Sequence, residues 1–105
     1  MKPHLFHILL ALADQHRHGS AIAKTVKEQS GGEIVLWPVT LYGSLSELEQ
    51  EGTIEPLRTP PVGESERRKF YRLTRAGRRA LEAETKRLAA LVSAAERRLN
   101  PRTAT

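Results

Sequence analysis

At 105 residues, 39% of them hydrophobic, the chain has room for one domain and one modest core. The absence of cysteine excludes a disulfide framework and a thiolate metal site, and it suits a reducing compartment. The net charge of +5 is unevenly spread: residues 1–52 hold four Lys/Arg against six Asp/Glu, while residues 53–105 hold thirteen against six, an asymmetry that suits a polyanionic partner.

Pro3 fits the first turn of a helix, where its missing N–H costs nothing. Leu5, Phe6, Ile8, Leu9, Leu12 and Ala13 recur behind it at helical spacing. This apolar run is broken by His7, is too short for a membrane span and has no small-residue cleavage site after it. A cytoplasmic protein without a membrane partner is therefore expected. The polar run 14–18 and Gly19 end the first helix. A second is predicted over 20–29, with Ser20 as N-cap, Ala21, Ile22 and Val26 turned inward, and Gly31-Gly32 as its stop.

Residues 34–37 form a short apolar connector, and Pro38 opens a third helix over 38–51. Leu41, Leu45 and Leu48 make one narrow apolar stripe along it, and Gly52 ends it. Residues 53–58 suit a short edge strand, because Pro56 cannot donate to a ladder. The prolines at 60 and 61 break the pattern, and a strand resumes over 67–73. Lys69, Tyr71 and Leu73 lie on one of its faces, and Arg68, Phe70 and Arg72 on the other. Thr74 is a good N-cap for a last helix over 75–99. The order predicts a mainly α fold with a small β-hairpin: a winged helix-turn-helix over 1–74, a long C-terminal helix over 75–99, and a flexible tail over 100–105.

The last helix is longer than so small a core can cover. Leu81, Leu88 and Ala95 fall seven apart, with Leu91, Val92 and Leu99 on the neighbouring face. A second copy of the chain is the simplest cover, so these six residues are assigned to a homodimer interface. The alternative is that the helix folds back on the first helix of its own chain.

Four segments together resemble the N-terminal domain of PadR-type transcriptional regulators. They are His18-Gly19-Ser20-Ala21-Ile22-Ala23, Pro38-Val39-Thr40-Leu41-Tyr42-Gly43-Ser44-Leu45, Leu48-Glu49-Gln50-Glu51-Gly52-Thr53-Ile54, and Arg68-Lys69-Phe70-Tyr71-Arg72-Leu73-Thr74 continuing to Leu81. The likeness spans residues 5–99 and is closest to the short branch, with one C-terminal helix and no separate effector domain. It implies a dimeric winged helix-turn-helix that binds double-stranded DNA at an inverted-repeat operator and usually represses. The family usually has an aromatic where Ser20 stands, and Ser and Gly on either side of the proline, where this chain has Trp37 and Val39.

On the outward face of helix 38–51, Thr40, Tyr42, Gly43 and Ser46 are the expected DNA contacts, since the N-terminal part of a recognition helix approaches base edges. Val39 or Thr40 could touch a thymine methyl. The leading turn has no Arg, Lys or Asn, so operator symmetry and DNA shape are expected to carry much of the specificity. Arg67, Arg68 and Lys69 are the expected phosphate contacts of a basic wing. Arg72, Arg75, Arg78 and Arg79 are expected to be solvated, with Arg78 pairing with Glu82. Phe70 is expected at the outer edge of the sheet or partly exposed, and Trp37 in core packing under the helix junction, in preference to a pocket at the dimer interface.

No glycine-rich phosphate loop, nucleophile elbow or paired-acid motif appears, so neither enzyme activity nor a cofactor is expected. Two alternatives stand beside the regulator. His4 with His7 and His16 with His18 could make a histidine-based metal sensor, or the long helix could serve a dimeric protein-interaction module that does not bind an operator. Neither the operator nor any small-molecule inducer can be read from the residues.

Overall fold

The leucine stripe of the third helix lies at the centre of the core: Leu41, Leu45 and Leu48 are each buried. The computed structural model describes residues 1–63 and 68–100. Its elements are α1 (Pro3–Ala11), β1 (Arg17–His18), α2 (Gly19–Gln29), α3 (Pro38–Gln50), β2 (Ile54–Pro56), β3 (Phe70–Leu73) and α4 (Arg75–Leu99). Leu5, Ile8 and Leu9 of α1, Ile22 and Val26 of α2, Ile54 of β2, Tyr71 of β3 and Leu81 of α4 close around the stripe. Each helix presents one apolar side to the others, so a single small core serves all four.

The strands form an antiparallel sheet in the order β1–β3–β2. Arg17 faces Tyr71 and His18 faces Phe70 on one side of β3; Ile54, Glu55 and Pro56 face Leu73, Arg72 and Tyr71 on the other. Pro56 sits on an edge strand, where its missing donor leaves no ladder position empty. The sheet has one strand more than the expected hairpin. The polar run after the first helix reads in sequence as a loop, but its last two residues pair with β3 as β1. The hairpin strands are also shorter than the predicted 53–58 and 67–73.

Two junctions fix the path of the chain. Gly52 takes the left-handed conformation, φ 77°, that lets α3 stop and turn into β2. The first turn of α4 then packs directly on the chain beside β2. Thr74 Oγ1 donates to the Gly52 carbonyl at 2.6 Å and accepts the Gly77 N–H at 3.0 Å, which makes it the helix cap. A side chain at Gly77 would collide with the backbone carbonyl of Thr53.

Several expectations need correcting. The N-cap of α2 is His18, whose Nδ1 accepts the Ala21 N–H at 3.3 Å, and Ser20 lies inside the helix. Phe70 is buried at 6% exposure, because His16 and His18 stand edge-on to its ring at 6.0 and 5.3 Å between centroids. Trp37 is 72% exposed and does not pack in the core. Arg78 donates to the Ala13 carbonyl at 2.9 Å, which ties α4 to the end of α1 in place of the predicted pairing with Glu82.

α4 is half anchored. Its 25 residues span about 37 Å. Leu81 is already covered by the core of its own chain, and Glu84, buried at 8%, closes the anchored part. Arg87 donates to both Glu84 oxygens at 2.6 and 2.9 Å, and the Met1 amino group lies 3.6 Å from one of them. The Arg87 hydrogen bonds hold the Glu84 carboxyl down at about 2, against an ordinary value of 4.5. Beyond Leu88, Leu91, Val92, Ala95 and Leu99 stand exposed. The molecule is accordingly elongated, 57 × 28 × 24 Å.

Candidate nucleic-acid interface

α2 and α3 meet at their leading turns. The Tyr42 ring lies against Gly19: a Cβ added there would be 3.0 Å from the Tyr42 hydroxyl and 3.1 Å from Cε1. Gly19 therefore leaves the space that Tyr42 fills, and it holds the ring at the surface with 53% of the residue exposed. Thr40, Gly43 and Ser46 are exposed along the same helix, and nothing lies within 4 Å of a Cβ added at Gly43. The outward face of α3 is thus open and low in relief, and it carries no Lys or Arg between 38 and 50.

The cations come from the chain leading into β3. Arg68 Nη1 is 3.2 Å from His18 Nε2, at the cap of α2. A neutral imidazole has a single acceptor nitrogen, so the Ala21 N–H at Nδ1 and the Arg68 guanidinium at Nε2 compete for the one lone pair of His18. Lys69 is drawn the other way: its Nζ lies 3.5 Å from Glu49 of α3 and 5.4 Å from the centre of the Tyr71 ring. Burial pushes the Tyr71 phenol up, and the Lys69 ammonium offsets only part of that shift. Both cations are exposed. The pair with Glu49 is partly solvated, so it orients Lys69 more than it stabilises the fold.

These parts enclose a cleft of about 350 Å³ lined by His18, Gly19, Ser20, Tyr42, Arg68 and Lys69. Into it face the positive end of the α2 dipole, two cationic side chains and two hydroxyls, an arrangement that accepts an anion. Of the residues expected at the DNA surface, Tyr42, Arg68 and Lys69 come together here. Thr40, Gly43 and Ser46 occupy the neighbouring face of α3, and Arg67 lies outside the described residues. Ser20 and His18 join the cleft although sequence reasoning does not place them there. The hydroxyl-for-aromatic replacement at Ser20 is the one sequence signal for them. The Lys69–Glu49 contact joins residues twenty apart and has no local signature.

Elsewhere, His7 Nδ1 is 3.0 Å from the Gln29 side-chain nitrogen. Among the described residues no group of three or more His, Asp or Glu side chains is placed to hold a metal ion. No described helix is long and apolar enough to cross a membrane.

Comparison with known proteins places this geometry in context. The model of the transcriptional regulator PadR-like family matches residues 8–83. A PadR family transcription regulator from hypervirulent Clostridium difficile R20291 superposes with a TM-score of 0.79 at 26% identity, over 93% of this chain and 99% of that one. Bacillus subtilis PadR in complex with operator DNA superposes with a TM-score of 0.65 at 28% identity, over 77% of this chain and 45% of that one. A protein of Streptomyces fradiae, described as an uncharacterized 37.1 kDa protein in transposon TN4556, is 39% identical over 84 residues, 80% of this chain. The match covers 22% of that protein, so this chain spans only a small part of its length.

Proposed function

The chain belongs to the PadR-like family of transcriptional regulators, and from that premise we propose that it is a dimeric repressor that binds an inverted-repeat operator through α3 and the basic base of its wing. The observation that carries this proposal is the cleft in which Tyr42, Arg68 and Lys69 converge on the N-terminus of α2, beside the open outer face of α3. Two structural neighbours strengthen it: a PadR family transcription regulator matched over almost its whole length, and a PadR in complex with operator DNA.

In this proposal the recognition helix enters the major groove with Thr40, Tyr42, Gly43 and Ser46 nearest the bases. The open space at Gly43 lets the helix backbone approach. Arg68 and the α2 N-terminus take one phosphate, and Lys69 with Arg67 takes the backbone on the wing side. Residues 1–74 form the DNA-binding unit, and α4 joins two copies. Leu88, Leu91, Val92, Ala95 and Leu99 supply the seam: Leu88 is half-buried, and the other four stand exposed on the far half of α4. Two half-sites related by a two-fold axis follow from two such copies. The protein works in the cytoplasm and needs no cofactor.

The test is binding-site selection from random double-stranded DNA with the full chain, followed by affinity and sedimentation measurements on the recovered duplex. An inverted repeat bound by two copies, with affinity falling steeply as salt rises, supports the proposal. A dimer with no affinity for any duplex at low salt overturns operator binding and favours a protein-interaction module using the same helix.

A further inference from the structure

The leading turn of α3 has an apolar edge for which the fold has no use. Trp37, the N-cap residue, has extended backbone (φ −71°, ψ 155°) and makes no side-chain capping bond. It is 72% exposed; its carbonyl accepts the Leu41 N–H at 2.8 Å, but among the described residues its indole has no ring, cation or hydrogen-bond partner. Val39, in the first turn, is 88% exposed, and Val35, two residues before Trp37, is 42% exposed. Exposed apolar side chains close in sequence at the start of one helix, beside polar and cationic surface, mark an interaction site. A tryptophan left in water is the most costly member of such a patch, because it withholds a large apolar area from burial.

What it meets follows from its surroundings. Tyr42, on the next turn of α3, borders the cleft that holds Arg68, Lys69 and the α2 N-terminus, so the patch continues a surface suited to a polyanion. α3 has no Arg, Lys or Asn, and its one amide, Gln50, is at the far end. The bidentate contacts that read guanine or adenine are therefore missing from the turn that comes nearest the bases. The apolar feature of the major groove is the C5-methyl group of thymine.

Resting on the operator-binding function proposed above, we propose that Trp37 and Val39 form an apolar reading edge that recognises thymine C5-methyl groups in the major groove. Trp37 and Val39 then add a methyl preference to the contacts of Thr40, Tyr42, Gly43 and Ser46, while Arg68 and Lys69 in the cleft supply affinity without sequence. Val39 meets the methyl group directly. Trp37 covers it on the other side and excludes water, and its indole N–H remains free to donate to the flanking phosphate. The same methyl group is present on 5-methylcytosine, but thymine is the source to which the proposal commits.

The probe is the duplex recovered by selection, synthesised with thymine, with deoxyuridine in place of each thymine in turn, and with 5-methylcytosine in place of cytosine. Removing the read methyl group lowers affinity about fourfold, the effect of one buried methyl-sized group. W37A/V39A binds the thymine and deoxyuridine duplexes equally, while its salt dependence and its melting temperature stay those of the native chain. Both residues are exposed, so the double variant should fold. Equal affinity of the native chain for the two duplexes overturns the proposal, as does full discrimination by W37A/V39A. Affinity that rises with cytosine methylation but ignores the thymine methyls also overturns it. Failure to recover any duplex overturns operator binding itself, and the reading edge with it.

Discussion

The cleft at the start of α2 and the leading turn of α3 are neighbours on one surface, yet they are built from opposite chemistry. The cleft gathers Arg68, Lys69, two hydroxyls and a helix N-terminus. The leading turn offers Trp37 and Val39 and no cation. The groups in the cleft suit any phosphate, because charge and backbone N–H groups do not distinguish one nucleotide from the next. The groups on the turn distinguish only what touches them closely. In the function proposed above, affinity and preference are then carried by separate residues, so each can be removed without the other.

The change with the largest expected effect removes both together. Gly77 seats α4 against Thr53, and Thr74 ties the same junction to Gly52, so the wing and α3 depend on it. G77A forces a backbone shift, with an expected cost of about 3 kcal/mol or more. Thermal unfolding by circular dichroism should show a large fall in melting temperature and DNA binding should vanish. An unchanged melting curve contradicts the close packing of Gly77 on Thr53.

Next comes R68A/K69A, which addresses the cleft alone. Affinity should fall about equally for every duplex, and the slope of log K against log salt should shrink by about two, because two phosphates are no longer neutralised. A fall restricted to certain sequences would contradict the division. Gly19→Val is subtler: its added Cβ meets the Tyr42 ring, and the substitution removes neither cation. Weaker operator binding with an unchanged salt slope is expected from anisotropy titrations. Retained affinity means that Tyr42 is not positioned by Gly19.

A control far from either region has the smallest effect. Because Glu84 titrates near 2 in the folded chain against an ordinary 4.5, its charged form stabilises the fold above pH 4.5. That contribution is lost as pH falls from 4.5 toward 2. E84Q should flatten this part of the melting temperature against pH profile and leave DNA affinity at neutral pH unchanged. A profile identical to that of the native chain shows that the Glu84–Arg87 pair contributes nothing.

Sequence periodicity is a good guide to the frame. The Leu41–Leu45–Leu48 stripe, the stop at Gly52, the Thr74 cap and the limits of the last helix all follow from local rules, and all are present. What escapes prediction depends on partners distant in the chain. β1 is two residues long and exists only because β3, more than fifty residues later, pairs with it. Without β1, the burial of Phe70 under His16 and His18 cannot be foreseen. A histidine cap on α2 lies outside the usual Ser, Thr, Asp and Asn preference, so local rules favour Ser20 in its place. They also favour Trp37 inside, because tryptophan is seldom left in water.

The most direct measurement is the salt dependence of binding to the selected duplex between about 50 and 200 mM, compared for the native chain and R68A/K69A. The account predicts a linear fall in log K for the native chain and a slope smaller by about two for the variant. Identical slopes for the two proteins, or no binding by the native chain at the lowest salt, would contradict it.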